Sequence, residues 1–239
     1  MTLKIFNVTA FAVMIIMNWL ANALPLGGRT TGELSAQYPN LFVPAGLTFS
    51  IWGVIYLLLL GFCVLQFMAQ NRAMVTAIGW LFAVSCILNA LWIVAWHYEF
   101  PGLSLAVMIL LLATLVMINH RLIPFAGGIT KAAFGIYLGW ICIAIIANTT
   151  ALLVAVNWQG WGIPEEIWAV IMIIAGTVIT VLVLNRFRNP FTGIAVIWAL
   201  AGIIAARWPE HRQIIIASAL SIITVAVFSL LITFQRDTA

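Results

Sequence analysis

The sequence predicts an all-α fold, a polytopic membrane bundle of about eight transmembrane helices. Three observations carry this. First, 65% of the 239 residues are apolar and only 7% are charged, where a soluble domain carries about 25% charged residues. Second, apolar runs of about 20 residues recur along the whole chain, each long enough to cross roughly 30 Å of hydrocarbon as a helix. Third, the alternating ten-residue pattern of a transmembrane β-barrel is absent.

The spans read as roughly 5–24, 45–68, 74–97, 102–119, 133–157, 167–185, 191–207 and 213–234. Each break has turn chemistry. Pro25-Leu26-Gly27-Gly28-Arg29 closes the first span, and Gln70-Asn71-Arg72 separates the second from the third. Glu99-Phe100-Pro101-Gly102 makes the next turn; His120-Arg121 and Gly127-Gly128 bound the fourth connection. Pro164-Glu165-Glu166 puts proline and acids where a helix start favours them. Asn185 to Pro190 and Arg207-Trp208-Pro209-Glu210 bound the seventh run, the shortest. Lys4, an apolar run and Ala21-Asn22-Ala23 imitate a signal peptide. The run is longer than a signal core and carries Asn18 and Trp19, so a retained first span is expected.

Eight spans place both termini on one side. That side collects Lys4, Arg72, Arg121, Lys131, Arg186, Arg188 and Arg236, against Arg29, Arg207 and Arg212 opposite. The bias predicts cytoplasmic termini and a multi-pass protein of the cell membrane. The ten basic residues form no basic patch, so the formal charge of +4 does not indicate nucleic acid; the expected surroundings are the lipid bilayer. Cys63, Cys86 and Cys142 lie in apolar runs without a CxxC pair and read as inert thiols, with no metal site. Trp96, Trp158, Trp161, Trp168 and Trp208 fall at the outer ends, as an interfacial belt does.

No Asp, Glu, Lys, Arg or His falls in the middle of a span. Ion-coupled transport and membrane-embedded hydrolysis use such groups, so the chain reads as a binding protein and not an enzyme. His97 lies near Glu99 at a span end and is expected to be solvated. The polar residues at depth are asparagines. Asn18 and Asn22 share a helix face, and Asn89 and Asn148 sit in the third and fifth spans. At about 1.5 Å rise per residue, Asn18, Trp52, Asn89 and Asn148 lie roughly 9–13 Å below the outer ends of their spans, with Trp92 slightly shallower. Interhelical glue is the plain reading of each amide. Grouped with indoles, they also suit the wall of an apolar-ligand pocket. The loop Gly27 to Val43 lies above them, and reads either as a connector or as a lid.

Pro44-Ala45-Gly46-Leu47-Thr48-Phe49-Ser50-Ile51-Trp52-Gly53-Val54-Ile55-Tyr56 resembles the signature at the start of the second helix in the tryptophan-rich sensory protein/translocator protein (TspO) family. Pro44, Trp52 and Tyr56 keep its spacing, Asn89-Ala90-Leu91-Trp92 resembles its third-helix motif, and Tyr137, Trp140 and Asn148 resemble its fifth-helix residues. The likeness covers residues 1 to about 158, the length of a five-helix core. It implies a domain 1–160 that binds ligand and a three-helix extension, 161–239. It also implies a pocket lined by Trp52, Tyr56, Asn89, Trp92, Tyr137, Trp140 and Asn148, with Asn18 beside them. The implied ligands are tetrapyrroles, porphyrin or haem, or similar aromatic compounds, with no obligatory cofactor. The chain departs from the family at Ala45-Gly46-Leu47 and Ser50-Ile51, and the cholesterol pattern is missing at Ala151–Trp158, so cholesterol is not implied. An uncoupled transporter and a ligand-free scaffold stay open as readings. Gly135 and Gly139 form a GxxxG, a packing face or a homodimer face.

Overall fold

The computed structural model describes residues 1–23 and 28–237, the last three as backbone only; Pro25, Leu26 and Gly27 of the first turn lie outside them. The described residues form ten α-helices and no strand. They are α1 (Thr2–Ala23), α2 (Thr31–Ala36), α3 (Ile51–Leu65), α4 (Arg72–Ile78), α5 (Leu81–His97), α6 (Pro101–Arg121), α7 (Ile129–Ala155), α8 (Glu165–Phe187), α9 (Phe191–Arg207) and α10 (Arg212–Asp237). A 3₁₀ turn, Gly46–Ser50, extends α3 to membrane-spanning length. The chain is a multi-pass membrane protein by length and apolarity: six helices qualify as spans, and α4 with α5 makes a seventh if the bent pair crosses as one. The remaining expected span, the seventh in chain order, is α9, at 17 residues a shorter apolar helix. Leu57, Leu110, Leu182 and Leu220 point outward uncovered, as side chains bathed in lipid do.

Two features differ from expectation. The third span is not straight. It bends by 59° between α4 and α5, at Gly79, whose φ of +58° lies where residues with a Cβ are strained. Arg121 donates to the Ala77 carbonyl at 2.9 Å and so satisfies a backbone group freed at that break. The first loop also holds a helix, α2. Thr30 and Glu33 form a complete capping box at its start, which satisfies donors a short helix leaves open.

The hub is α7. It carries α3 and α6 on one side and α8 and α9 on the other; α5 links α6 to α1, and α10 closes the bundle against α8 and α9. The GxxxG serves this hub. A Cβ on Gly139 would lie 2.2 Å from the Thr192 carbonyl oxygen, and one on Gly135 2.6 Å from Asn189 Nδ2. The two glycines therefore let α7 approach the start of α9 within one chain. Asn189 Nδ2 in turn donates to Asn119 Oδ1 at 3.1 Å and to the Lys131 carbonyl at 2.9 Å. Asn7 and Gln66 join α1 to the end of α3 at the same end of the bundle. The start of α1 and the end of α10 lie at this end, here called the termini side; the loop carrying α2 lies at the opposite end, the loop side.

Candidate ligand pocket

A cavity of about 730 Å³ opens between α1, α3, α5 and the loop on the loop side. Its amides come from α1, whose Asn18 and Asn22 stand one turn apart. Its aromatic wall comes from Phe49, Trp52 and Tyr56, spaced along the 3₁₀ turn and α3. Its roof is α2, through Thr30, Thr31, Gly32, Glu33 and Ala36. The first loop is therefore a cover to a cavity, not a plain connector. Arg29 pairs with Glu99 at 3.3 Å, tying the loop to the turn after α5. Thr31 N donates to Asn22 Oδ1 at 3.3 Å, and Trp96 Nε1 donates to the Thr31 carbonyl at 3.4 Å.

Of the eight residues expected at the pocket, Asn18, Trp52 and Tyr56 line this cavity. Asn89, Trp92, Tyr137, Trp140 and Asn148 stand behind that wall, all buried. Trp52 joins the two layers. Its ring lies 5.5 Å from Tyr56, 5.6 Å from Trp92, 5.8 Å from Tyr137 and 6.1 Å from Trp140, centroid to centroid. These separations are those of favourable aromatic pairs.

The amides form two relays. Asn18 Nδ2 donates to Asn89 Oδ1 at 2.7 Å, and Asn89 Nδ2 donates to the Tyr137 hydroxyl at 2.9 Å. This relay crosses from α1 through α5 to α7. The second gathers on Asn148 Oδ1, which accepts from Ser104 at 2.7 Å and from Trp92 Nε1 at 3.3 Å. Every amide nitrogen in both relays also has a partner, since Asn18 and Asn148 donate back to the carbonyls of Met14 and Ala144. In hydrocarbon an unpaired amide is costly, so the relays hold Trp52 and its neighbours in place. The glue reading and the pocket reading of the asparagines are thus compatible.

Two hydroxyls stand apart. Tyr56 Oη and Thr31 Oγ1 are buried, lack a well-aligned hydrogen-bond partner among the described residues, and belong to residues that line the cavity. One comes from the wall and one from the roof. Buried polar groups are nearly always paired; both oxygens are covered, and Tyr56 Oη lies on the side of the Asn89 amide and not on the open side of the cavity.

Some residues sit elsewhere than expected. Trp96 is not part of the interfacial belt; it is buried, 5.7 Å from the Tyr38 ring, and bonds the loop. Trp158, Trp161 and Trp168 do cluster at the loop-side end, 5.0–5.9 Å apart. His97 is not solvated: it is 3% exposed, and its Nδ1 contacts the Ile93 carbonyl at 2.9 Å, while Glu99 faces Arg29. The backbone carbonyl one turn back outcompetes water because α2 and its loop cover this end of α5. Ser104 escaped the sequence reading, since a serine in an apolar run carries no signal of its own. The cysteines are buried and free, and among the described residues no cluster could hold a metal ion.

The model of one protein family, described as TSPO-like protein, matches residues 4–232. The chain belongs to the TSPO-like protein family. The match runs through α8, α9 and α10 as well as the helices that build the cavity. TSPO-like membership supports, in broad terms, a sensor- or transporter-type role in a membrane. No curated protein and no solved structure matches the chain.

Proposed function

We propose that this TSPO-like protein is a membrane receptor or carrier for tetrapyrroles such as porphyrin or haem, or for similarly flat aromatic ligands. The observation that carries the reading is the cavity itself, roofed by α2 and walled by the rings of Phe49, Trp52 and Tyr56. Its volume of about 730 Å³ falls in the range of small-molecule pockets, roughly 300–1,000 Å³. Ring faces suit a planar macrocycle, and the polar side chains that line the cavity, Asn18, Asn22 and Thr30, would engage its polar edge. The eight residues from Asn18 to Asn148 act as one unit, three lining the cavity and five fixing the wall. The ligand is cargo or signal and not a fixed cofactor, and the reading involves no catalysis.

Receptor is favoured over open passage by what lies beneath. Toward the termini side, Phe62, Phe82 and Phe134 pack edge to face at 4.9–5.9 Å, and Ile55 and Leu59 are fully buried. The cavity therefore ends in a dry plug. Residues 1–160 supply the pocket and 161–239 an accessory unit, and the loop side faces outward from the cell membrane with both termini cytoplasmic. A reporter fused after the last residue tests the orientation, and periplasmic or extracellular activity would reverse it.

The binding test is a titration of purified protein with protoporphyrin, following tryptophan quenching. Saturable quenching that Trp52→Ala weakens supports the pocket. Linear, non-saturating quenching refutes it.

A further inference from the structure

The pocket reading gives α8, α9 and α10 no task, yet α9 holds the chain that links the two halves of the cavity. The segment from Asn40 to Thr48 runs from the roof helix α2 to the turn that starts the aromatic wall. One side of α9 grips it along its length. Arg207 Nε donates to the Leu41 carbonyl at 3.1 Å, and its Nη2 donates to the carbonyls of Asn40 and Val43, each at 3.0 Å. Ala45 N donates to the Gly202 carbonyl at 3.0 Å. Trp198 Nε1 donates to the Thr48 carbonyl at 2.8 Å. Gly202 permits this approach, because a Cβ there would lie 2.0 Å from Thr48 Oγ1.

These bonds do work that the segment cannot do for itself. A loop has no ladder to satisfy its carbonyls, and loops with few internal bonds open at low free-energy cost. Within the segment, Asn40 makes a local turn, accepting from Phe42 N at 3.1 Å and donating to the Tyr38 carbonyl at 2.8 Å. Thr48 N donates to the Ala45 carbonyl at 2.9 Å, and Phe42 is buried in the core; the carbonyls of Asn40, Leu41, Val43 and Thr48 are held by α9. A guanidinium suits the task because its planar fork offers five donors in set directions, where an ammonium is a single point.

We propose that α9 is a brace for the pocket cover, and that Arg207 is a positioning residue that sets how fast the cover opens for ligand entry and release. The inference rests on the pocket reading for its ligand arm, and on the contacts alone for its structural arm. Loosening the strap leaves α2 tied only through Thr31 and Arg29, so it lifts more readily, while Trp52, held by Tyr56, Trp92, Tyr137 and Trp140, stays in place. Entry and release therefore both speed up, and equilibrium affinity changes less than either rate.

The experiment compares the full-length protein with Arg207→Gln and Arg207→Lys by hydrogen–deuterium exchange and by stopped-flow release of protoporphyrin. Exchange at 40–48 is expected to rise about tenfold in both variants, as loss of a few hydrogen bonds implies, with α6 unchanged. Release is expected to accelerate about as much. Lysine keeps the charge and loses the fork, so full rescue by lysine overturns the assignment to fork geometry. Unchanged exchange at 40–48 overturns the brace, as does an equal rise across every helix, which marks general destabilisation. Faster exchange with unchanged release overturns the link to ligand passage and leaves the pocket intact. If the unaltered protein binds no protoporphyrin, the pocket reading fails, and exchange alone decides the brace. Should Arg207→Gln fail to fold, Trp198→Phe removes a single bond and must show a smaller change of the same kind.

Discussion

The two ends of the bundle use the same chemistry for different results. On the termini side, Asn119 and Asn189 bond each other and backbone carbonyls, and Phe62, Phe82 and Phe134 fill the space between helices. On the loop side, Asn18, Asn89 and Asn148 form equally well-paired relays, but tryptophans replace the phenylalanines and a cavity opens in front of them. Amides in a membrane helix therefore do not mark a site by themselves. Both ends also hold orphan polar atoms, Thr192 Oγ1 at one and Tyr56 Oη at the other. What separates the ends is the cavity of about 730 Å³, which lies on the loop side.

That contrast can be broken by mutation. Phe134→Ala empties part of the plug and is expected to cost about 3–5 kcal/mol of stability, read as a lowered Tm in detergent, with protoporphyrin affinity within about threefold of the original. A large affinity loss would mean that the two ends are not separable. Trp52→Ala is the reverse case. It removes the ring on which four others converge, and affinity should fall about a hundredfold, roughly 2.8 kcal/mol. Asn89→Ala and Asn119→Ala form the matched pair. Each strips a buried relay and should cost about 1–3 kcal/mol of stability, but Asn89→Ala alone should weaken binding, as a parallel titration of both would show.

Much of the bundle was legible because a membrane leaves hydropathy little freedom. Charge-free runs of about 20 residues can only be helices, and Pro101 and Pro164-Glu165-Glu166 mark true helix starts. The bend at Gly79 was not legible, since a glycine inside an apolar run reads as a tolerated helical residue until its φ is known. The roof helix α2 could have been read: Thr30 followed three residues later by Glu33 is a capping box. The division of the pocket residues into a lining and a supporting layer could not. Depth along a helix places Asn18 and Asn148 together, but rotation about each axis decides which faces the cavity. Arg207 shows the same limit. In sequence it counts as one outer charge, and its three carbonyl partners lie more than 160 residues away.

The smallest expected effect concerns the roof. Hydrogen bonds from Thr30, first its backbone N–H and then its hydroxyl, hold the Glu33 carboxyl below the usual value of 4.5. A depressed carboxylate contributes its full share above that value and loses it as pH falls through the lowered one. The capping box should thus be intact at neutral pH and release only in acid below 4.5. Exchange at the α2 amides should rise there, and Glu33→Gln should flatten the profile. A rise already complete near neutrality would point to another group.

The most direct test of the central claim is a protoporphyrin titration run side by side on the unaltered protein, Trp52→Ala and Phe134→Ala. A ligand seated in the roofed cavity gives saturable binding to one site per chain, lost in Trp52→Ala and kept in folded Phe134→Ala. Equal binding by Trp52→Ala, or loss only in Phe134→Ala, would place the ligand away from the roofed cavity and contradict that claim.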